Sequence, residues 1–96
     1  MDKWTYLLVF DDKVGSHEKV RRFIDSRPEI VNWLSYFSNS FLIVSAKTAN
    51  ELTEIFLKLT KKSGRFLIVD THTDRNGWLP KEAWELMRHP KGVFDE

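Results

Sequence analysis

The sequence lacks several features that would point to a function directly. It contains no cysteine, which excludes disulfides, thiolate metal sites and cysteine nucleophiles. Its four glycines are isolated from one another, so it has no glycine-rich loop of the kind that binds phosphate. The apolar run over residues 4–10 is far shorter than the roughly 20 residues of a membrane-spanning helix. What is present is the composition of one small domain, 96 residues long and 42% hydrophobic.

A strong excess of charge is also absent. The formal net charge is +1, which argues against a protein that binds nucleic acid mainly through charge.

No secretory signal is evident, because Asp2 and Asp11 bracket the apolar run and no cleavage-site pattern follows it. We therefore expect a cytoplasmic protein with no membrane partner.

The local excess of positive charge lies on the flanks of predicted helices. The candidate residues for contacts with nucleic acid are Lys19, Arg22, Lys58 and Lys62. Two interpretations remain open. The charges either form an ordinary solvated helix surface, or they contact phosphate groups.

Residues 4–10 form the strand around which the predicted fold is built. Both the even-numbered and the odd-numbered positions of this strand are largely apolar. A strand with two apolar faces lies in the middle of a sheet that is covered on both sides. The strand ends on two carboxylates, Asp11 and Asp12.

Helix and strand signals then follow in the order βαββαβ. Ser16 is the predicted N-cap of a first helix, which Pro28 ends near Arg27. Thr48 and Glu51 fit the capping box of a second helix. The other predicted strands span residues 31–37, 41–44 and 66–70, and the first two of them form a hairpin.

This order of elements predicts an α+β fold. Right-handed crossovers favour a ferredoxin-like sandwich with sheet order 4-1-3-2 and both helices on one face. We expect strands one and three to be a parallel central pair, which places Asp11 and Ser45 at the same edge of the sheet. Residues 1–70 would form this core, and residues 71–96 a C-terminal extension with a short helix from Lys81 to about Arg88.

The helix-free face of this sheet needs a cover. Left bare, it would expose an apolar patch of roughly several hundred Å², more than a monomer normally exposes. A second subunit, the extension, or a nucleic acid whose bases stack on Tyr6, Phe10 or Phe41 could cover it. We expect a homodimer, assisted by the extension.

Two groups of carboxylates are candidates for a metal site. Asp11 and Asp12 could hold a hard divalent cation. Neighbours on a strand point to opposite faces, so one aspartate from each subunit is the easier geometry. The alternative is that the acids only begin a turn. Asp70, His72 and Asp74 would share one side of an extended segment, and the alternative for them is a solvated loop.

The other polar and aromatic residues suggest no chemistry. His17 and His89 have no local partner and are predicted to be surface residues. No identifiable arrangement of histidine and aspartate lies near the serines Ser35, Ser38, Ser40 and Ser45. The four tryptophans are predicted to pack in the core or in an interface; they are Trp4, Trp33, Trp78 and Trp84.

Four stretches together carry a resemblance to a known family. They are residues 6–11, 39–44, 48–52 and 66–69. In this pattern the chain resembles the smaller CRISPR adaptation protein, and even more its orphan relatives found outside CRISPR loci. The resemblance covers about residues 4–70. It implies a homodimer joined through the sheets and a Mg²⁺-dependent nuclease site with one aspartate from each subunit, here Asp11.

Two hypotheses about function follow. In the first, the protein is a dimeric, nucleic-acid-associated protein with weak metal-dependent nuclease activity through Asp11. In the second, it is a non-enzymatic interaction or regulatory module, such as a phage inhibitor or a toxin–antitoxin component. A small-molecule sensor that uses the cleft of a dimer is a third reading.

Overall fold

The computed structural model describes residues 2–60 and 63–93. Within these ranges lie four strands and three helices: β1 (Trp4–Phe10), α1 (His17–Asp25), β2 (Asn32–Phe37), β3 (Ser40–Ser45), α2 (Ala49–Thr60), β4 (Phe66–Asp70) and α3 (Lys81–Arg88). The fold is therefore α+β, with the elements in the predicted order. None of the described helices is long and apolar enough to cross a membrane.

The four strands form one antiparallel sheet. Their order is β2-β3-β1-β4, which reads 4-1-3-2 from the opposite edge. All three neighbouring pairs are antiparallel, so the prediction of a parallel β1–β3 pair is wrong. The β2–β3 hairpin reverses the chain after α1 has returned it to the direction of β1, and β3 therefore runs against β1. Val9 pairs with Ser40 and Trp4 with Ser45, which puts Ser45 and Asp11 at opposite ends of the sheet.

The first face of the sheet packs against α1 and α2 and contains the main core. Phe41 is completely buried there, with its ring centroid 6.0 Å from that of Phe10 and 5.4 Å from that of Trp33. The other buried residues of this core are Tyr6, Leu8, Val14, Val20, Ile24, Ile30, Ile43, Leu52, Ile55 and Phe56. Tyr6, Phe10 and Phe41 thus lie beneath the helices, and the alternative in which they stack bases on an open face is wrong.

Both helices of the first face begin as the sequence predicts. The Ser16 hydroxyl accepts a hydrogen bond from the Lys19 amide at 3.1 Å. Thr48 and Glu51 form a reciprocal capping box, in which each backbone amide donates to the other side chain at 3.0–3.1 Å. These bonds satisfy amides that would otherwise lack partners at a helix start.

Helix α3 packs across the second face of the sheet. Leu42, Ala83 and Met87 form a smaller buried cluster between α3 and the sheet. The buried Thr5 hydroxyl donates a 2.7 Å hydrogen bond to the Leu86 carbonyl. In a continuing helix the Leu86 carbonyl would accept a hydrogen bond from the amide of residue 90, but Pro90 has no amide hydrogen. Thr5 supplies the missing donor.

Three further hydrogen bonds fix the C-terminal segment to β2 and to the residue before it. The Tyr36 hydroxyl donates to Glu82 Oε1 at 2.6 Å. Asn32 Nδ2 donates to the Lys91 carbonyl at 3.2 Å, and the Val93 amide donates to the Val31 carbonyl at 3.2 Å. The described part of the extension therefore covers much of the second face within one chain.

Candidate functional site

Asp11, the predicted catalytic and metal-binding residue, organises the turn after β1. Its Oδ1 atom accepts hydrogen bonds from the amides of Lys13 at 3.0 Å and Val14 at 3.2 Å. Its own amide donates to the Arg65 carbonyl at 3.0 Å. A carboxylate bonded in this way holds a turn, so the structure accounts for Asp11 without a metal.

Gly64, in the loop before β4, packs against this turn. Its φ angle is 80°, in the left-handed region that favours glycine. A Cβ atom at this position would lie 2.5 Å from the Val14 amide nitrogen and 2.8 Å from Asp11 Oδ1. The Asp11 turn therefore packs directly on the backbone before β4, and this close approach needs a glycine.

The candidate metal ligands do not form a cluster. Among the described residues, no group of three or more histidine, aspartate or glutamate side chains could hold a metal ion. In the second predicted group, the Asp70 side chain instead accepts a 2.9 Å hydrogen bond from the His72 amide. Metal binding by Asp11 stays a prediction. A metal ion there would need further ligands that the described residues of a single chain do not supply.

The predicted nucleic-acid contacts do not form one strong positive surface. Arg22 pairs with Glu18 at 3.4 Å, and Glu18 also pairs with Arg21. The hydrogen bond from Arg21 lowers the pKa of Glu18 to about 2, so this carboxylate offsets local positive charge at neutral pH. Lys19 and Lys58 are exposed, without a carboxylate partner in the part of the chain that the structure describes. Lys62 lies outside the described residues.

His17 has a partner that the sequence did not reveal. Its Nε2 atom lies 2.7 Å from Ser35 Oγ, and its ring stacks on Phe41 with centroids 4.5 Å apart. His17 is therefore half-buried and bonded to a distant residue, whereas the sequence predicts a surface residue with no local partner. The Ser35 hydroxyl also donates a hydrogen bond to the Ser40 carbonyl at 2.9 Å. This arrangement joins α1 to β2, and the 18-residue separation gives no sequence signal for it.

The second face of the sheet is uncovered at the end near Asp11. Helix α3 contacts Thr5 and Leu7 on β1, but Val9 on β1 and the adjoining residues of β4 stay exposed. We call the exposed residues there the apolar strip: Val9, Phe37, Leu67 and Val69, with exposed fractions of 40%, 60%, 60% and 42%. Val9 pairs with Ser40 on one side and with Leu67 on the other, so the strip crosses the whole sheet.

Strand β4 is an edge strand whose only charged residue is Asp70 at its end. In the described ranges it pairs only with β1. Its sequence, FLIVD, contains neither the lysine nor the proline that natural edge strands use to prevent association. The bonds from the Asp11 amide to the Arg65 carbonyl and from the Thr71 amide to the Thr5 carbonyl show that odd-numbered residues of β4 bond to β1. The amide and carbonyl groups of Phe66, Ile68 and Asp70 therefore point outward.

The loop between β4 and α3 borders a partly open apolar cavity on the second face. Its volume is about 240 Å³. Leu7, Leu34, Leu42, Leu79, Trp84 and Met87 form its walls, and Arg75 and Trp78 lie at its border. Trp78 is 98% exposed, so the prediction that all four tryptophans are packed is wrong for this one.

Comparisons of the chain with protein-family models, with curated proteins and with solved structures give no match.

Proposed function

We propose that the protein is a self-associating interaction module of ferredoxin-like topology, in which two copies join through the outer edge of β4 and the adjoining apolar strip. One observation carries the proposal: the open edge of the sheet and two of the four residues of the apolar strip, Leu67 and Val69, lie on the same strand. An exposed edge offers a row of free hydrogen-bonding groups, and its pairing with another strand is a common mode of recognition.

A second copy fits this edge because antiparallel pairing of two identical strands is self-complementary. With Ile68 on the two-fold axis, Phe66 of one strand lies opposite Asp70 of the other, and all outward-pointing amides and carbonyls find partners. Leu67 then lies opposite Val69 in a pair without hydrogen bonds, where side chains come closest. The two exposed apolar residues of β4 would thus cover each other.

The test compares two leucines that are exposed on different sides of the molecule. Leu67→Lys should convert the dimer to a monomer, measured by sedimentation velocity across a concentration series, because it puts two charges into the new interface. Leu57→Lys is the matched control, since Leu57 is 42% exposed on α2, away from the strip. A wild-type chain that stays monomeric at the highest concentration, or a Leu67→Lys chain that still dimerises, would contradict the proposal.

Nucleic-acid association, with a Mg²⁺-dependent nuclease site at Asp11, is the second candidate. It is supported by the resemblance and by the exposed Lys19 and Lys58, which have no described carboxylate partner. The two candidates require different dimers. In the β4-edge dimer the two Asp11 residues are displaced by six residues along the strands, or about 20 Å at ~3.4 Å per residue, too far apart to share one ion.

The nuclease candidate has its own test. Cleavage of RNA or DNA at low salt should need Mg²⁺ and be abolished by Asp11→Asn, while the dimer persists. Low salt matters because contacts from so few cations are easily screened. If the purified protein neither shifts nor cuts nucleic acid under these conditions, the interaction module is the better account.

A further inference from the structure

The cavity between the second face and the β4–α3 loop combines apolar walls with one unpaired cation. Its walls come from β1, β2, β3 and α3, which the sheet hydrogen bonds and the Leu42, Ala83 and Met87 cluster join together. The loop is attached at both ends, because Thr71 Oγ1 donates to the Thr5 carbonyl at 2.8 Å and Trp84 Nε1 donates to the Leu79 carbonyl at 3.2 Å. The cavity is therefore a formed feature of the fold and does not depend on an unattached loop.

Arg75 is the only charged residue at this cavity among the described residues. Its Nη1 atom donates to the carbonyls of Thr71 at 2.9 Å and His72 at 2.8 Å, which hold the guanidinium in place. Arg75 forms no ion pair with a carboxylate in the part of the chain that the structure describes. Its Nε and Nη2 donors make no hydrogen bond within residues 2–60 and 63–93, and this edge of a guanidinium matches a carboxylate.

We propose that the cavity binds small apolar monocarboxylates, with the apolar body between Leu42 and Trp84 and the carboxylate on Arg75. A volume of about 240 Å³ equals that of roughly eight water molecules at ~30 Å³ each, so a ligand of benzoate or phenylacetate size fits. One guanidinium among apolar walls favours a carboxylate over a phosphate, whose higher charge calls for more donors.

Trp78 gives the site a means of closing over its ligand. Trp78 borders the cavity and is 98% exposed, so the free protein gains little from it in packing. A large exposed aromatic residue beside an apolar cavity can bury its ring against a bound apolar molecule. Replacing Trp78 should consequently weaken binding without unfolding the protein.

The experiment uses the full chain and two matched pairs of compounds. Isothermal titration calorimetry should show saturable binding of benzoate or phenylacetate, and at least about tenfold weaker binding of benzamide or phenylacetamide. Arg75→Gln should remove this preference for the acid. Arg88→Gln, which removes the same charge from an exposed site on α3 that does not border the cavity, should bind like wild type. Trp78→Ala should weaken binding of the acid and of its amide alike.

The contrary results are equally definite. No saturable binding, equal affinity for acid and amide, or an Arg75→Gln variant that retains the preference for the acid would each overturn the proposal. Circular dichroism of every variant checks that the fold is intact. Leu67→Lys should bind the acids as wild type does, so a failure of the β4-edge dimer and a failure of the carboxylate site can be told apart.

Discussion

The two faces of the sheet are built from similarly apolar strands, yet they are covered in different ways. On the first face α1 and α2 bury the large side chains at the centre of β1 and β3, from Tyr6 to Phe41, and leave Trp4 partly exposed at the start of β1. On the second face a single eight-residue helix closes one end and leaves the apolar strip open. The comparison shows that residue type alone does not determine burial here. The second face is therefore where interaction with another molecule is to be sought.

The largest effect should come from emptying the first face. Phe41→Ala removes a fully buried ring that contacts three other rings and should lower the free energy of unfolding by about 3–5 kcal/mol. Phe37→Ala, at the open end of the second face, should change it by no more than about 0.5 kcal/mol. Urea unfolding at low protein concentration measures both. Equal losses would mean that the two faces do not differ as described.

An intermediate effect should follow from loosening α3. Thr5→Val keeps the shape of the side chain but removes the hydrogen bond to the Leu86 carbonyl, for which Pro90 supplies no alternative donor. The free energy of unfolding should fall by about 1–3 kcal/mol, again measured in urea. Thr53→Val on the half-buried flank of α2 is the control. If Thr5→Val costs no more than the control, the bond does not hold α3 in place.

The smallest effect concerns the contact between Tyr36 and Glu82. Burial, and then the hydrogen bond and charge of Glu82, raise the pKa of Tyr36 to about 12 from its ordinary 10.0. A raised tyrosine pKa stabilises the folded protein below pH 10, and this contribution is lost as the pH rises from about 10 to 12. An NMR titration of the Tyr36 ring should show the raised pKa. In Glu82→Gln it should fall toward 10 but stay above it, because burial is the larger cause.

Much of the fold could be predicted from local signals. The Ser16 cap, the Thr48–Glu51 capping box and the start of α3 after Pro80 depend on neighbouring residues, and each lies where the sequence placed it. The direction of β3 relative to β1 was predicted wrongly, because it follows from the path of the whole chain and not from any local pattern.

The candidate site was less predictable, because its features depend on distant contacts. The bond between His17 and Ser35 joins two elements, and no spacing rule indicates it. Asp11 has the residue type of a metal ligand, but its oxygen is used by the turn amides. The exposure of Trp78 depends on how the loop passes over the second face, and hydrophobicity pointed to the opposite result.

Hydrogen exchange at two adjacent amides of β4 tests the central claim most directly. The Val69 amide faces β1 and should exchange slowly at every protein concentration, whereas the Ile68 amide faces outward. In the β4-edge dimer, protection of Ile68 should rise with protein concentration until it approaches that of Val69. If Ile68 exchanges as a free edge amide at all concentrations while the protein stays folded, β4 does not pair with a second copy.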